Sequence, residues 1–119
     1  MRTARDIIRI VIESIERDID MAESQYAFSE GERSRIHDEK MHDVNIGMDY
    51  FRATSIYDHS IGFHAGCAFE HEEKIKVLRG RLNYWKSLDE RCAEEEKLAE
   101  AEEASSLEGT LCCQNLGFR

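Results

Sequence analysis

Apolar residues recur with the period of a helix along most of this chain. In its first third they follow alternating spacings of four and three residues, the heptad pattern of a helix that buries one stripe. That stripe consists of Ile8, Ile12, Ile15, Ile19, Ala22 and Tyr26. Thr3, with Asp6 three positions later, resembles a capping box. The pattern therefore predicts a first helix over residues 4–27.

A second stripe follows after a short polar interval. Ser29 and Glu32 match the capping box again, and the apolar spacing resumes beyond them. The stripe consists of His37, Met41, Val44, Met48 and Phe51. It predicts a second helix over residues 30–55, which Gly47 weakens by about 1 kcal/mol relative to alanine. Because the connection is short, we expect the first two helices to be antiparallel neighbours.

A third stripe runs through the second half of the chain. Asp58 or Ser60 could cap its helix, which predicts a turn within residues 55–62, with an unbroken helix as the alternative. The stripe consists of Ile61, His64, Ala68, His71, Ile75, Leu78, Leu82 and Trp85. The third helix is expected over residues 61–88, continuing to about residue 104. At 1.5 Å per residue it would be about 65 Å long, more than a compact three-helix domain of this size needs.

These elements indicate an all-α protein. The 119 residues include no proline and 7 glycines, which disfavours an all-β fold with many turns. We expect an antiparallel helical hairpin or three-helix bundle with a long, coiled-coil-like C-terminal helix. Residues 1–88 would form the bundle domain, residues 89–108 an acidic extension of the third helix, and residues 109–119 a short apolar tail. The apolar runs are too short to cross a membrane.

Charge is distributed unevenly along the third helix. The chain carries a net charge of −9, which argues against direct binding to nucleic acid or to an anionic membrane. Residues 74–88, the basic block, carry +5, and residues 89–103, the acidic segment, carry −6. The acids of that segment are Asp89, Glu90, Glu94, Glu95, Glu96, Glu100, Glu102 and Glu103. One net charge per roughly 3.7 Å of helix is close to the 3.4 Å spacing of phosphates along a nucleic-acid strand.

The charge pattern predicts a binding protein rather than an enzyme. The sequence has no phosphate-binding glycine loop, no GxSxG, no HExxH and no EF-hand pattern. We expect a non-enzymatic inhibitor or adaptor whose acidic segment occupies a basic, nucleic-acid-binding surface of another protein. The hypothesis includes an origin in a virus or a mobile element, which no residue of the sequence supports. Four cysteines without CxxC spacing indicate reduced thiols and a cytoplasmic location.

Self-association is a further expectation from the charge blocks. Two antiparallel copies of the third helix would bring each basic block against the partner's acidic segment, with the two-fold axis near Leu88. Gly62 and Gly66 would either let a second helix approach closely or pack against the first helix of the same chain. The residues predicted to mediate an antiparallel homodimer are Gly62, Gly66, Leu78, Leu82, Trp85, Leu88 and Cys92.

Two alternative sites involve small ligands. Lys74, Arg81 and Lys86 are candidates for binding a nucleotide or another phosphorylated molecule, in the manner of basic surfaces interleaved with aromatic residues. His64, Cys67 and His71 have ligand types that suit zinc. The two histidines lie about 10 Å apart along the helix axis, so one tetrahedral ion cannot easily bind all three residues. We therefore expect no metal and no cofactor.

Overall fold

The chain forms two long α-helices. The structure, a computed structural model, describes the backbone of residues 2–117 and the side chains of residues 2–105. Helix α1 spans Ala4–Asn45 and helix α2 spans Tyr50–Gly117, and the described backbone contains no strand. The all-α prediction is confirmed. The three-helix bundle is not, because the structure has two helices where the sequence predicts three.

A turn at residues 46–49 separates the helices, and Gly47 makes it possible. Gly47 has a φ of 114°, in the left-handed region that favours glycine. The Gly47 amide donates to the carbonyl of Val44 (3.1 Å), and the Met48 amide donates to that of Asp43 (2.9 Å). These two bonds form the Schellman motif that ends many helices. The interpretation of Gly47 as a weak point inside a helix is therefore wrong, since it is where α1 stops.

Polar side chains cap the first turn of each helix. The Thr3 hydroxyl accepts a hydrogen bond from the Asp6 amide (3.2 Å), and the Asp6 carboxylate accepts one from the Thr3 amide (3.0 Å). This reciprocal pair confirms the predicted capping box. At the start of α2, the Asp49 carboxylate accepts a hydrogen bond from the Arg52 amide (3.2 Å). Asp49 is therefore the N-cap of α2.

Both breaks that the sequence predicts fall inside helices. Ser29 does not cap a new helix, because α1 continues through it and its side chain is buried. Asp58 does not cap one either, because it lies in the third turn of α2 and pairs with Lys40 of α1. The predicted helix boundary at residues 27–30 is wrong, and over residues 55–62 the structure has the unbroken helix that was the alternative to a turn. The backbone of α2 also continues to Gly117, past the expected end near residue 104.

One heptad seam runs along α1. The predicted stripe from Ile8 to Tyr26 is buried or half-buried, and the same register continues to Lys40. The buried seam residues are Ile8, Ile15, Ile19, Ala22, Ser29, Ile36 and Lys40. The separate stripe predicted from His37 to Phe51 is wrong, since Met41 is 37% exposed and Phe51 is 81% exposed. Because the seam positions Ser29 and Lys40 are polar, the sequence does not show that the seam is continuous.

The seam of α2 follows the predicted third stripe. Ala68, Ile75 and Leu78 are buried, and the other residues of that stripe are half-buried. Ala53 extends the seam toward the turn. Sustained spacing of three and four residues on both helices is the pattern of a coiled coil.

Contacts divide the chain into two units, and both helices contribute to each. Unit 2 contains Glu13–Leu82, and unit 1 contains the residues up to Ile12 together with those from Asn83 onward. Within unit 2, Lys40 pairs with Asp58 near the turn and Glu23 pairs with Arg79 far from it. The two helices are therefore antiparallel in that unit. Within unit 1, Arg5 of α1 contacts α2 at Asp89 and Glu96.

Candidate functional site

The acidic segment begins where α2 contacts the start of α1. Arg5 Nε lies 3.1 Å from Asp89 Oδ1, and Arg5 Nη1 lies 3.1 Å from Glu96 Oε2. These hydrogen bonds, that to Asp89 first, raise the pKa of the Arg5 guanidinium above its ordinary value. Arg5 therefore neutralises part of the acidic segment within the chain itself. The sequence pattern does not single out Arg5, because its two pairings join positions 84 and 91 residues apart.

Beyond Ala93 the described side chains of α2 are exposed, although Glu96 pairs with Arg5 of α1. Every side chain from Glu94 to Ser105 is exposed, and these residues include six glutamates and one lysine. At about 100° per residue the glutamates spread over about 240° of the helix circumference. No apolar seam continues there, since Leu98 is the one large apolar residue between them and is 62% exposed. This part of α2 presents negative charge in most directions.

The basic block contains ion pairs with neighbouring acids. Arg79 Nη2 lies 2.9 Å from Glu23 Oε1 of α1, and Lys76 Nζ lies 3.2 Å from Glu73 Oε1. The bond to Glu73 raises the pKa of Lys76 above its ordinary value. A phosphate at these positions would meet carboxylates as well as cations. The three residues predicted to bind phosphate, Lys74, Arg81 and Lys86, are exposed, and their role stays a prediction.

The candidate metal ligands lie in the wall of a groove on one side of unit 2. His64, Cys67 and His71 are all half-buried there. Among the described residues, no group of three or more histidine, cysteine, aspartate or glutamate side chains is arranged to hold a metal ion. The two histidines occupy seam positions of α2 that face α1. Their packing in the seam accounts for their place in the apolar stripe.

That groove is mainly apolar and has a volume of about 440 Å³. Its walls include Met21, Ser24 and Phe28 of α1 and Phe63, Cys67 and His71 of α2. The seam pattern alone does not reveal this groove, because its walls include residues that lie beside the seam. The seven-residue spacing of Met21 and Phe28, matched by that of Ile56 and Phe63, was the available signal.

The residues predicted to mediate self-association differ in their surroundings. Leu78 is buried, and Leu82, Trp85, Leu88 and Cys92 are half-buried. Cys92 lines a small groove with Ala4 and Arg5, so α1 partly covers the region of the crossing predicted near Leu88. A Cβ added at Gly62 or Gly66 would meet no atom within 4 Å. Packing against α1 of the same chain is therefore not the reason for these two glycines.

Two general findings bear on the class of function. Neither helix, in the part of the chain that the structure describes, combines the length and apolar character that a membrane crossing requires. Comparisons of the chain with protein-family models, with curated proteins and with solved structures found no match. A functional proposal therefore depends on the geometry and charge of the chain itself.

Proposed function

We propose that this protein is a non-enzymatic binding protein whose acidic segment occupies a basic, nucleic-acid-binding surface of another protein. The observation that carries the proposal is the exposure of every side chain from Glu94 to Ser105 on a continuous helix. Those twelve residues carry a net charge of −5. They have no role in the seam and, apart from Glu96, which pairs with Arg5, their charge is available to a partner.

The geometry favours a concave basic partner surface over a flat one. Glutamates that spread around most of a helix can all form ion pairs only when the partner surrounds part of that helix. Grooves that bind nucleic acid have this form, and they neutralise phosphates along a strand with lysine and arginine. The net-charge spacing of the acidic segment, roughly 3.7 Å, is close to that of such a strand.

The energy of such an interface would come from many weak contacts. An exposed ion pair contributes only about 0.2–1 kcal/mol and is screened by salt. Six glutamates acting together, with long-range electrostatic attraction, would give a fast and strongly salt-dependent association. We therefore expect partner binding to weaken steeply as the salt concentration rises.

The experiment compares two triple variants with equal changes in charge. One carries Glu94→Lys, Glu95→Lys and Glu100→Lys, which leaves the pairing of Glu96 with Arg5 intact. The control carries Glu13→Lys, Glu16→Lys and Asp20→Lys, which reverses three exposed acids of α1. Each variant and the unmodified chain are used to capture proteins from the native cells. Each captured protein is then mixed with labelled duplex DNA, with and without the unmodified chain.

The expected result has two parts. Capture is lost with the first variant and kept with the control, and the captured protein binds duplex DNA until the unmodified chain displaces it. Equal capture by both triple variants would contradict a role for the acidic segment. A captured protein that shows no binding to nucleic acid, or binds nucleic acid and this chain together, would contradict occupation of a nucleic-acid site.

A further inference from the structure

One side of the hairpin in unit 2 exposes a row of large apolar side chains on each helix. On α1, Met21 and Phe28 are seven residues apart and are 61% and 67% exposed. On α2, Ile56, Phe63 and Val77 are separated by multiples of seven and are 50%, 62% and 55% exposed. Residues seven apart project from the same side of a helix. Each helix therefore carries a second apolar stripe beside its seam.

The two stripes flank the apolar groove described above. Met21, Phe28 and Phe63 contribute to its walls, so side chains of both helices meet there. We call this side of unit 2 the groove face. In an antiparallel pair, equivalent flanking positions of the two helices lie on the same side, which is why the two stripes share one face.

The opposite side of the same hairpin carries a cross-helix ion pair. Glu23 of α1 pairs there with Arg79 of α2, and Glu72 lies beside them. Glu16, one heptad before Glu23, is exposed as well. Ion pairs and exposed acids are typical of a side of a coiled coil that stays in water. Phe51 and Phe69 are also exposed away from the groove face, but they do not form a row at heptad spacing as the residues of the groove face do.

We propose that the groove face is the docking surface for a second copy of this chain, which would form a four-helix assembly. The charge of the face supports this occupant. Its charged residues are four acids and three bases, namely Asp18, Glu32, Glu39, Glu70, Arg35, Lys74 and Arg81. The face therefore carries a formal charge of −1, whereas the chain carries −9. Two copies of a strongly acidic chain repel each other least when they meet at apolar faces of low charge.

The area of the face is also what a stable dimer requires. The exposed fractions of the five apolar residues correspond to on the order of 500 Å² of apolar surface per copy. Two copies would together bury about 1,000 Å² of apolar surface. Since apolar atoms make up about 57% of a typical interface, the total buried area, polar and apolar, would be about 1,800 Å². That value lies within the roughly 1,200–2,000 Å² of stable protein interfaces.

Glycines beside the groove leave room for the second pair of helices. Gly31 of α1 and Gly66 and Gly80 of α2 each come three residues after a member of the apolar stripes. They therefore lie next to the stripes, on the side away from the seam. A Cβ built at any of them would meet no atom within 4 Å. Glycine inside a helix lowers its stability, so these positions have a cost that packing within the chain does not explain. Small residues allow helices to approach closely, which a second copy would use.

The proposed dimer is independent of the proposed function of the acidic segment. It places self-association on the groove face rather than on a crossing at Leu88. The experiment is sedimentation equilibrium of the full chain over a wide concentration range, with Phe63→Glu and Phe69→Glu as a matched pair. Phe63 and Phe69 are both 62% exposed on α2, but Phe69 projects about 120° away from the groove face. Phe28→Glu tests the α1 side of the groove.

The unmodified chain is expected to sediment as a dimer of the 13.8 kDa subunit. Phe63→Glu and Phe28→Glu should each raise the dissociation constant at least about 30-fold, as loss of a central interface residue does, whereas Phe69→Glu leaves it unchanged. Circular dichroism of each variant confirms that the helices are retained. An unmodified chain that is monomeric at every concentration would overturn the proposal, including the case in which its groove face captures a different protein. Equal weakening by Phe63→Glu and Phe69→Glu would overturn it too.

A second measurement follows the groove without any substitution. Cys67 lies in the groove wall, whereas Cys92 lies in unit 1. If the groove is covered in the dimer, alkylation of Cys67 by iodoacetamide slows as the protein concentration rises, and alkylation of Cys92 does not. Peptide mass spectrometry measures both rates in one sample. A Cys67 rate that is independent of concentration across the dimerisation range would place the interface elsewhere.

Discussion

The side chain of Lys40 lies in the seam, only 7% exposed, and its Nζ donates a 2.7 Å hydrogen bond to Oδ1 of Asp58 on the other helix. The ammonium also lies 4.9 Å from the centre of the Tyr50 ring, a cation–π contact. The hydrogen bond to Asp58 raises the pKa of Lys40 above its ordinary value. A charged residue at a seam position is therefore compensated by side chains that come from α2.

Removing the partner of Lys40 should destabilise the protein more than removing Lys40. Asp58→Ala leaves a buried ammonium without its carboxylate, whereas Lys40→Met fills the seam with an apolar side chain of similar length. We expect Asp58→Ala to lower the urea midpoint clearly and Lys40→Met to leave it unchanged or raise it. Asp38→Ala, at an exposed aspartate of α1, is the control. A larger loss for Lys40→Met would show that the pair itself stabilises the hairpin.

Gly47 and Gly80 should respond oppositely to alanine. At Gly47 the positive φ makes a Cβ unfavourable, so Gly47→Ala should destabilise the protein by about 1–2 kcal/mol. Gly80 is inside α2 with open space around it in the single chain, so at protein concentrations below the dimerisation range Gly80→Ala should stabilise the protein by about 0.5–1 kcal/mol. Urea unfolding of both variants at one protein concentration measures the difference. Stabilisation by both substitutions would contradict a turn at Gly47.

The continuous seam of α1 can be tested with two apolar residues. Ile36 is 8% exposed at a seam position, and Met41, which the sequence pattern places in a stripe, is 37% exposed. Ile36→Ala should cost about 2–4 kcal/mol of unfolding free energy, and Met41→Ala less than about 1 kcal/mol. The free energies come from urea titrations monitored by circular dichroism. A larger loss of unfolding free energy for Met41→Ala than for Ile36→Ala would support the stripe that the sequence predicts and contradict the continuous seam.

The cap of α1 should make stability depend on pH in the acid range. The backbone amide of Thr3, followed by its hydroxyl, lowers the pKa of Asp6 below its ordinary value of 3.8. A lowered pKa in the folded state contributes stability at pH values above 3.8, and this contribution is lost as the pH falls through the folded-state value. Asp6→Asn should therefore be less stable than the unmodified chain at neutral pH, with the difference shrinking in strong acid. Thermal melts of both proteins across the acid range measure it, and a constant difference would contradict the role of the charge.

The sequence by itself determined the features that depend on neighbouring residues. The heptad stripe from Ile8 to Tyr26 is apolar at every position, so its helix and buried face follow from spacing alone. The third stripe keeps the same spacing with histidine at two of its positions, and the Thr3–Asp6 cap involves residues three apart. The exposed acids beyond Ala93 also follow from composition, because no apolar stripe competes with them.

Only the tertiary structure decided where the chain turns and which further residues enter the seam. Ser29 and Asp58 suit a helix start locally, but each lies inside a helix because the seam of the other helix continues past it. Lys40 is buried only because Asp58 and Tyr50 reach it from α2. The contacts between α1 and α2 also decide the position of the turn. A glycine in the left-handed conformation can end a helix, and the cross-helix contacts select Gly47. Long-range pairing of polar side chains leaves no periodic signal in a sequence, and that is the physical reason the register of α1 beyond Tyr26 could not be read in advance.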